Sequence, residues 1–292
     1  MTDKVFDLIN TLFLILALVV TLYPLWYVLV SSLSSANDVV ALRVWIWPVN
    51  FSLDAYEAIF NSKQLVTGFR NSATYAIFGT VCNLVVTIMA AYPLSRKDFL
   101  PRNIIMAFFA FTMLFSGGMI PTYLLIQSLG MINTIWAMII PGALSVWNVV
   151  IMRTFFTTTI PEDLLEAAQL DGFRDGNYLL RIVLPLSKPI IAVMVLFSAV
   201  GHWNSYFSAL IYLNKAEMMP LQIVLRNILI QNQSDAQMTL SSVDPREVMR
   251  IANLRNLLKY ALIIVASAPL LAIYPFIQKY FIKGIMLGAL KG

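Results

Sequence analysis

Residues 153–188 read RTFFTTTIPEDLLEAAQLDGFRDGNYLLRIVLPLSK, an island of charge in an otherwise apolar chain. Between the terminal cations Arg153 and Lys188 lie Glu162, Asp163, Glu166, Asp171, Arg174, Asp175 and Arg181. Glu166-Ala167-Ala168 is followed by Gly172, and after nine more residues by Ile182-Val183-Leu184-Pro185. Thr159-Ile160-Pro161-Glu162 suits a helix start, with Thr159 as N-cap and Glu162 three residues on in a capping box. The helix is expected to run to Asp171, where Gly172 suits a left-handed stop. Phe173 to Val183 is expected to form a second helix, closed by Pro185. Ala167 and Ala168 remove bulk, so another protein surface can approach the backbone, and Glu166 offers a carboxylate to a cation on that surface.

Outward from the island the sequence turns apolar. Of 292 residues, 59% are hydrophobic and 12% charged, and mean hydropathy is +0.77. A soluble globule of this length cannot hide so much apolar surface. Between Asn103 and Met152 there is no Asp, Glu, Lys or Arg, which leaves room for two spans of about 20 residues each. Reading every such run predicts six helices, at 6–30, 71–94, 104–127, 132–153, 189–213 and 257–282. The expected fold class is all-α integral membrane, a single membrane domain over 1–292 without linker, low-complexity tract or short repeat. The first run exceeds the roughly 7–15 residues of a signal core, and Lys4 is flanked by Asp3 and Asp7, so a retained helix is expected despite Ser34-Ser35-Ala36.

Charge in the short connections sets the expected orientation. Arg96, Lys97 and Arg102 lie in 95–103, Arg174 and Arg181 in the island, Lys283 and Lys291 in the tail, while 126–131 is uncharged. The positive-inside rule places both termini and the island in the cytoplasm. Segment 214–257 falls outside by alternation although it carries Lys215, Arg226, Arg246, Arg250 and Arg255; long outer loops translocate largely regardless of charge. The net charge of +5 is therefore mostly topological. No clustered basic face with stacking aromatics is present, so nucleic acid is not an expected partner. Cys82 is the lone cysteine and lies mid-span, and one cysteine with one histidine does not make a conventional structural zinc site.

Two outer segments are long enough to have structure. Trp45, Trp47 and Pro48 in 31–70 are compatible with a membrane-interface position or with an external partner. After Pro220, residues Leu221, Val224, Leu225, Ile228 and Leu229 form one stripe of an amphipathic helix. Such a helix either lies on the bilayer, caps the bundle or meets a partner.

In the fifth span, Ser198, Gly201, Asn204, Ser205 and Ser208 fall within an arc of roughly 120°, with Trp203 and Phe207 pointing away. Small polar residues on one side serve close helix packing or line a hydrated path. Asn204 is the leading candidate for a lining or gating role, and His202 at the stripe's edge reads as a hydrogen-bonded packing residue. Ser116-Gly117-Gly118 before Pro121, Pro141-Gly142, Pro269 and Pro275 interrupt other spans. No Asp, Glu, Lys or Arg lies deep in spans two to six, unlike the usual ion-coupled carrier. No Walker A pattern, Ser-His-Asp set or H-E-x-x-H appears, so the chain is not expected to be an enzyme. Energy must come from another polypeptide.

The pattern E-A-A-x-x-x-G-x9-I-x-L-P, between the fourth and fifth of six spans, resembles the cytoplasmic signature of membrane subunits of binding-protein-dependent ABC importers. Tyr23-Pro24, Ala91-Tyr92-Pro93-Leu94-Ser95-Arg96, Met119-Ile120-Pro121-Thr122-Tyr123, Leu129-Gly130-Met131-Ile132-Asn133-Thr134 and His202-Trp203-Asn204 resemble carbohydrate-type permeases. So do Lys279-Tyr280-Phe281-Ile282-Lys283-Gly284 and Gly288-Ala289-Leu290-Lys291-Gly292. The chain is similar to the smaller permease of the maltose-type importer, within the LplC/YtcP-like subgroup that handles oligosaccharides released from polysaccharides, such as alginate and pectin fragments.

The resemblance implies a type I ABC importer permease fold in a bacterial cytoplasmic (inner) membrane. It implies a heterodimer with a second, related permease, two ATPase subunits that hold ATP and Mg, and an extracellular or periplasmic sugar-binding protein; this chain itself carries no cofactor. It assigns ATPase coupling to Glu166, Ala167, Ala168, Asp171, Gly172, Leu184 and Pro185, and to Lys283, Gly284 and Gly288 of the tail. Ser198, His202, Asn204, Ser205 and Ser208 are the path candidates. Transport would follow alternating access, and the last outer loop would approach the binding protein. Uronate-rich, glucan and galactoside oligosaccharides all remain open, because the partner permease of the maltose-type arrangement makes most sugar contacts. The competing expectation is an ATP-independent carrier or channel for small polar solutes; a third is a scaffold subunit that binds the ATPase without moving solute.

Overall fold

The computed structural model describes the backbone of residues 2–238 and 245–289, and side chains over 4–228, 230, 252–276 and 278. Every regular element among the described residues is helical. The chain divides into two compact units, Met1–Val66 with Val224–Pro269, and Thr67–Ile223 with Leu270–Gly292.

The first unit is led by α1 (Thr2–Ser32). Its apolar window has no buried residue, so most of the helix is hydrophobic and exposed all round, a surface made for lipid, and only its end at Val30–Ser32 is buried. The short α2 (Ala36–Val40) begins where Ser35 Oγ accepts from the Asp38 amide. Asp38 then organises the following turn, accepting from Ser35 Oγ at 2.6 Å and Asn50 Nδ2 at 2.7 Å. α3 (Asp54–Asn61) follows. Tyr27 meets Tyr260 edge-on at 5.9 Å, and Asn253 Nδ2 donates to Asn37 Oδ1 at 2.8 Å.

The second unit is built around α4 (Lys63–Ser95), a helix of 33 residues. α5 (Arg102–Leu114) and α6 (Met119–Ser128) follow, bent 112° to one another. The bend falls on Gly117 and Gly118; Gly118 has φ +86°, a backbone state that only glycine adopts at low cost. α7 (Trp136–Ile139) and α8 (Val146–Thr159) are separated by Pro141-Gly142, and Ser145 caps α8. Next come α9 (Asp163–Leu170), α10 (Asp175–Tyr178), a π turn over Leu179–Val183 and α11 (Leu184–Leu186). α12 (Lys188–Trp203) leaves this segment at 83°. α13 (Tyr206–Tyr212) and a 3-10 turn at Ala216–Met218 follow, while α14 (Leu221–Met238) and α15 (Pro245–Ala289) are each divided between the two units.

Among the described residues, three helices are each long and apolar enough to cross a membrane: Lys4–Ser32, Lys63–Ser95 and Ala252–Phe276. The expected runs 104–127, 132–153 and 189–213 are each interrupted, at Gly117-Gly118, Pro141-Gly142 and Asn204-Ser205. Glycine and proline free backbone carbonyls there, and neighbours satisfy them: Gly142 O accepts from Asn83 Nδ2 at 3.0 Å.

The core of the second unit is polarised along α4. At one end Ala91, Leu94, Val149, Met152, Phe156, Ala168, Tyr178, Val183, Ile190 and Met194 pack together. At the other, Tyr75, Met138, Ala209, Leu213 and Ile223 form one cluster and Ile126, Ala137 and Tyr212 another. The start of the amphipathic stripe after Pro220 is buried at Leu221 and Val224, as is Ile223 between them. Leu229 at the end of that stripe lies outside the residues whose side chains are described, and the 239–244 part of the outer segment lies outside the described residues altogether.

Candidate functional site

The charged island folds as two helical pieces joined by a glycine turn. α9 starts at Asp163 with Glu162 as its N-cap, not at Thr159. Thr159 instead ends α8, in whose last turns the Thr157 and Thr158 hydroxyls donate back to the Arg153 and Thr154 carbonyls. At the other end, Phe173 N donates to Ala168 O at 2.9 Å and Gly172 N to Gln169 O at 3.0 Å. These are the 6→1 and 5→2 bonds of a Schellman stop, and Gly172 sits at φ +77°. A Cβ on Gly172 would meet no atom within 4 Å, so glycine is demanded by dihedral angle, not by space. The second helix begins at Asp175, two residues later than expected, and runs through the π turn to Leu186.

The two alanines of the motif face opposite ways. Ala168 is 3% exposed and packs in the chain's own core with Leu94, Met152 and Phe156. Its small side chain lets α9 lie close to this chain's core, so the room the sequence seemed to leave for a partner is already filled at that position. Glu166 and Ala167 face outward. With them stands Leu170, 89% exposed, which the sequence reading did not single out. A leucine off the buried stripe of a short charged helix was the available signal. Asp171 and Pro185 are exposed and Leu184 is half-buried. Lys283, Gly284 and Gly288 lie outside the residues whose side chains are described.

The connection after α4 frames this loop. Arg96 makes a two-pronged contact with Asp98, Nε to Oδ1 at 2.9 Å and a terminal nitrogen to Oδ2 at 2.8 Å. Its other terminal nitrogen donates to Tyr92 OH at 3.1 Å and reaches Asp175 at 3.4 Å. Lys97 Nζ donates to Glu162, and Arg153 Nε donates to Leu94 O at 2.8 Å. The Asp98 hydrogen bonds hold the Arg96 guanidinium above its ordinary range, and Arg96 in turn holds Asp98 below the usual carboxylate range. A cavity of about 540 Å³ lies between the two connections, bounded by Lys97, Glu162, Glu166, Gln169, Phe156 and Tyr178.

In the middle of the unit lies a buried polar hub. Asn83 donates to Gly142 O and accepts from Ser198 Oγ at 2.8 Å, with Asn148 and Thr87 at longer range. Ser198 thus packs inward, and so does His202, whose ring lies against Gly79. Trp203, expected to point away from the stripe, is buried edge-on against Phe69 at 5.5 Å. The helix breaks after it, so the arc drawn on one continuous helix does not persist. Asn204 is exposed in that break and its Oδ1 accepts from Gln222 Nε2 at 3.4 Å. Ser205 Oγ donates to His202 O at 2.7 Å, and Ser208 is half-buried on α13.

At the end of α4 opposite the island, Asn71 Nδ2 donates to Glu217 O at 2.8 Å and Met219 O at 3.1 Å. Tyr75 OH donates to Met218 O at 2.7 Å, and Leu221 N donates to Ser72 Oγ at 2.9 Å.

Long apolar helices carrying a charged helix pair, with Glu166, Ala167 and Leu170 exposed on the first helix, have the layout of a membrane-transport subunit. The chain belongs to the family of binding-protein-dependent transport system inner membrane components, whose pattern matches residues 83–287. It is a permease subunit in an inner membrane, has the type I importer permease fold, and is not itself an enzyme. It is 39% identical to Protein LplC of Bacillus subtilis (strain 168) over 99% of this chain and 96% of that protein. It is also 39% identical to the polygalacturonan/rhamnogalacturonan transport system permease protein YtcP of the same organism, over the full length of both. A solved bacterial ABC transporter involved in the import of the acidic polysaccharide alginate contains a chain that superposes with a TM-score of 0.86. That chain is 30% identical, with 96% of this chain and 98% of that chain covered.

Proposed function

We propose that this chain is one of two permeases in an ATP-driven importer of uronate-containing oligosaccharides, working with two ATPase subunits and an extracellular or periplasmic sugar-binding protein. The observation that carries the reading is the outward face of α9. Glu166, Ala167 and Leu170 stand exposed on a helix whose other side, at Ala168, is locked into the permease core. Such a helix is held rigidly from behind and offers an acid, a flat spot and an apolar knob in front. An ATPase surface with a cleft and a cation is its natural complement. Full-length likeness to a polygalacturonan/rhamnogalacturonan permease and to an alginate importer chain supports acidic sugars as the cargo class.

In this reading the island and both termini lie in the cytoplasm, and six spans cross the membrane, three of them as broken helices. The ion pairs Lys97–Glu162 and Arg96–Asp175 support the same side for the two basic connections. Asn204, Ser205 and Ser208, at the break between α12 and α13, border the sugar path, while Ser198 and His202 support it from behind. Lys283, Gly284 and Gly288 meet the ATPases. ATP binding closes the ATPase pair, α9 moves with it, and the permease pair turns outward to receive sugar; hydrolysis resets it.

Mild-detergent affinity purification from the native host tests this. Recovery of a second permease and a vanadate-sensitive ATPase, with hydrolysis stimulated by the binding protein loaded with oligogalacturonate or oligoalginate, is the expected result. A lone chain without ATPase would overturn the importer. Stimulation by neutral glucans or galactosides alone would overturn the cargo class.

A further inference from the structure

Two cations at the end of α4 reach into the island, and each ties down the start of a different helix. Lys97 pairs with Glu162, the N-cap of α9. Arg96 reaches Asp175, the first residue of α10. Both acids sit where a helix start favours negative charge, so each contact joins a helix end to the end of α4. The grip is not symmetric in exposure. The Arg96 side chain is 12% exposed and braced by Asp98 and Tyr92, whereas Lys97 and Glu162 are 67% and 47% exposed. An exposed pair adds little to stability, so Lys97–Glu162 contributes position more than folding energy.

α4 is also gripped elsewhere. Asn83 holds the broken fourth and fifth runs through Gly142 and Ser198, and Asn71, Ser72 and Tyr75 hold the outer segment 217–221. At about 1.5 Å per residue, Asn71 and Ser95 stand about 36 Å apart on one unbroken helix. We propose that Arg96 and Lys97 are positioning residues of the coupling site, clamping both helices of the island to α4 so that displacement of α9 is transmitted along α4 toward segment 217–221. This rests on the coupling reading of α9. The clamp acts through α9 and α10 and need not touch the ATPase.

A charge exchange in the intact, reconstituted complex tests the clamp. Lys97→Glu, Glu162→Lys and the double variant are compared for ATP hydrolysed and for sugar imported, with ATPase recovery measured alongside. Each single change is expected to lower sugar imported per ATP hydrolysed by about fivefold or more, and the exchanged pair to restore it. An unchanged ratio in both single variants overturns the proposal. So does a loss, of coupling or of assembly, that the exchanged pair fails to repair. Failure of the importer reading looks different, because the unaltered chain then brings down no ATPase at all.

Discussion

Gly79 lies directly beneath the imidazole of His202: a Cβ built on Gly79 would come within 2.6 Å of the ring atoms Nδ1, Cε1 and Nε2. The missing side chain is what lets α12 approach α4 at this level. Gly79→Ala is therefore expected to force the helices apart and lower the chain's melting temperature in detergent. His202→Ala in the same chain is expected to recover most of that loss, since it removes the other side of the clash. A Gly79→Ala protein as stable as the parent would refute the close approach.

The Asn83 hub leads to a second expectation. Asn83→Leu leaves the Gly142 carbonyl and the Ser198 hydroxyl without their partner. An orphaned buried polar group costs about 1–3 kcal/mol. The variant should unfold at lower denaturant, and Ser198→Ala should add less when Asn83 is already gone than when it is present. A double-variant cycle reads this coupling directly.

Gly172→Ala meets no steric obstacle but must hold φ near +77°. The left-handed region costs an ordinary residue about 1–2 kcal/mol. The expected result is a frayed α9 with slower coupled transport and little change in the melting of the rest of the chain. Gly172→Asn, which tolerates this region better, should be milder than Gly172→Ala. Equal activity of all three would mean the turn is not needed.

The Arg96–Asp98 contact carries a pH dependence. Asp98 is held below the usual carboxylate range, so its stabilising share is complete above the ordinary carboxylate pKa and is lost as pH falls through the lowered value. Hydrogen-exchange protection over 96–102 should be flat from neutral pH down to that range and fall below it. Asp98→Asn should already show the low-pH behaviour at neutral pH.

What the sequence revealed was mainly what local chemistry decides. The helix ending at Gly172 was readable because one glycine dihedral stops a helix by itself, and Ala168 stands in the motif whichever way it faces. That it faces inward depends on Leu94 and Phe156, residues far away in the chain. Thr159 looked like a cap because Thr-x-x-Glu is a capping pattern, yet α8 runs on to it, with the preceding threonine hydroxyls turned back onto carbonyls of α8. The stripe on the fifth run presumed an unbroken helix, and the break at Asn204-Ser205 rearranges it. Asn83 was not singled out from the sequence, and its partners Gly142 and Ser198 come from two other runs. Arg96 and Lys97 were counted only as topological charges. Their acids lie in the island, 79 and 65 residues on.

In the proposed importer the ATPase sits on the outward face of α9. Replacing Cys82 by serine and placing single cysteines at Ala167 or Leu170 allows short-range cross-linking in the assembled complex. Covalent adducts are expected between each of these positions and the ATPase subunit, and none from a cysteine at the buried Ala168. Complexes that transport sugar yet give no adduct from Ala167 or Leu170 would contradict it.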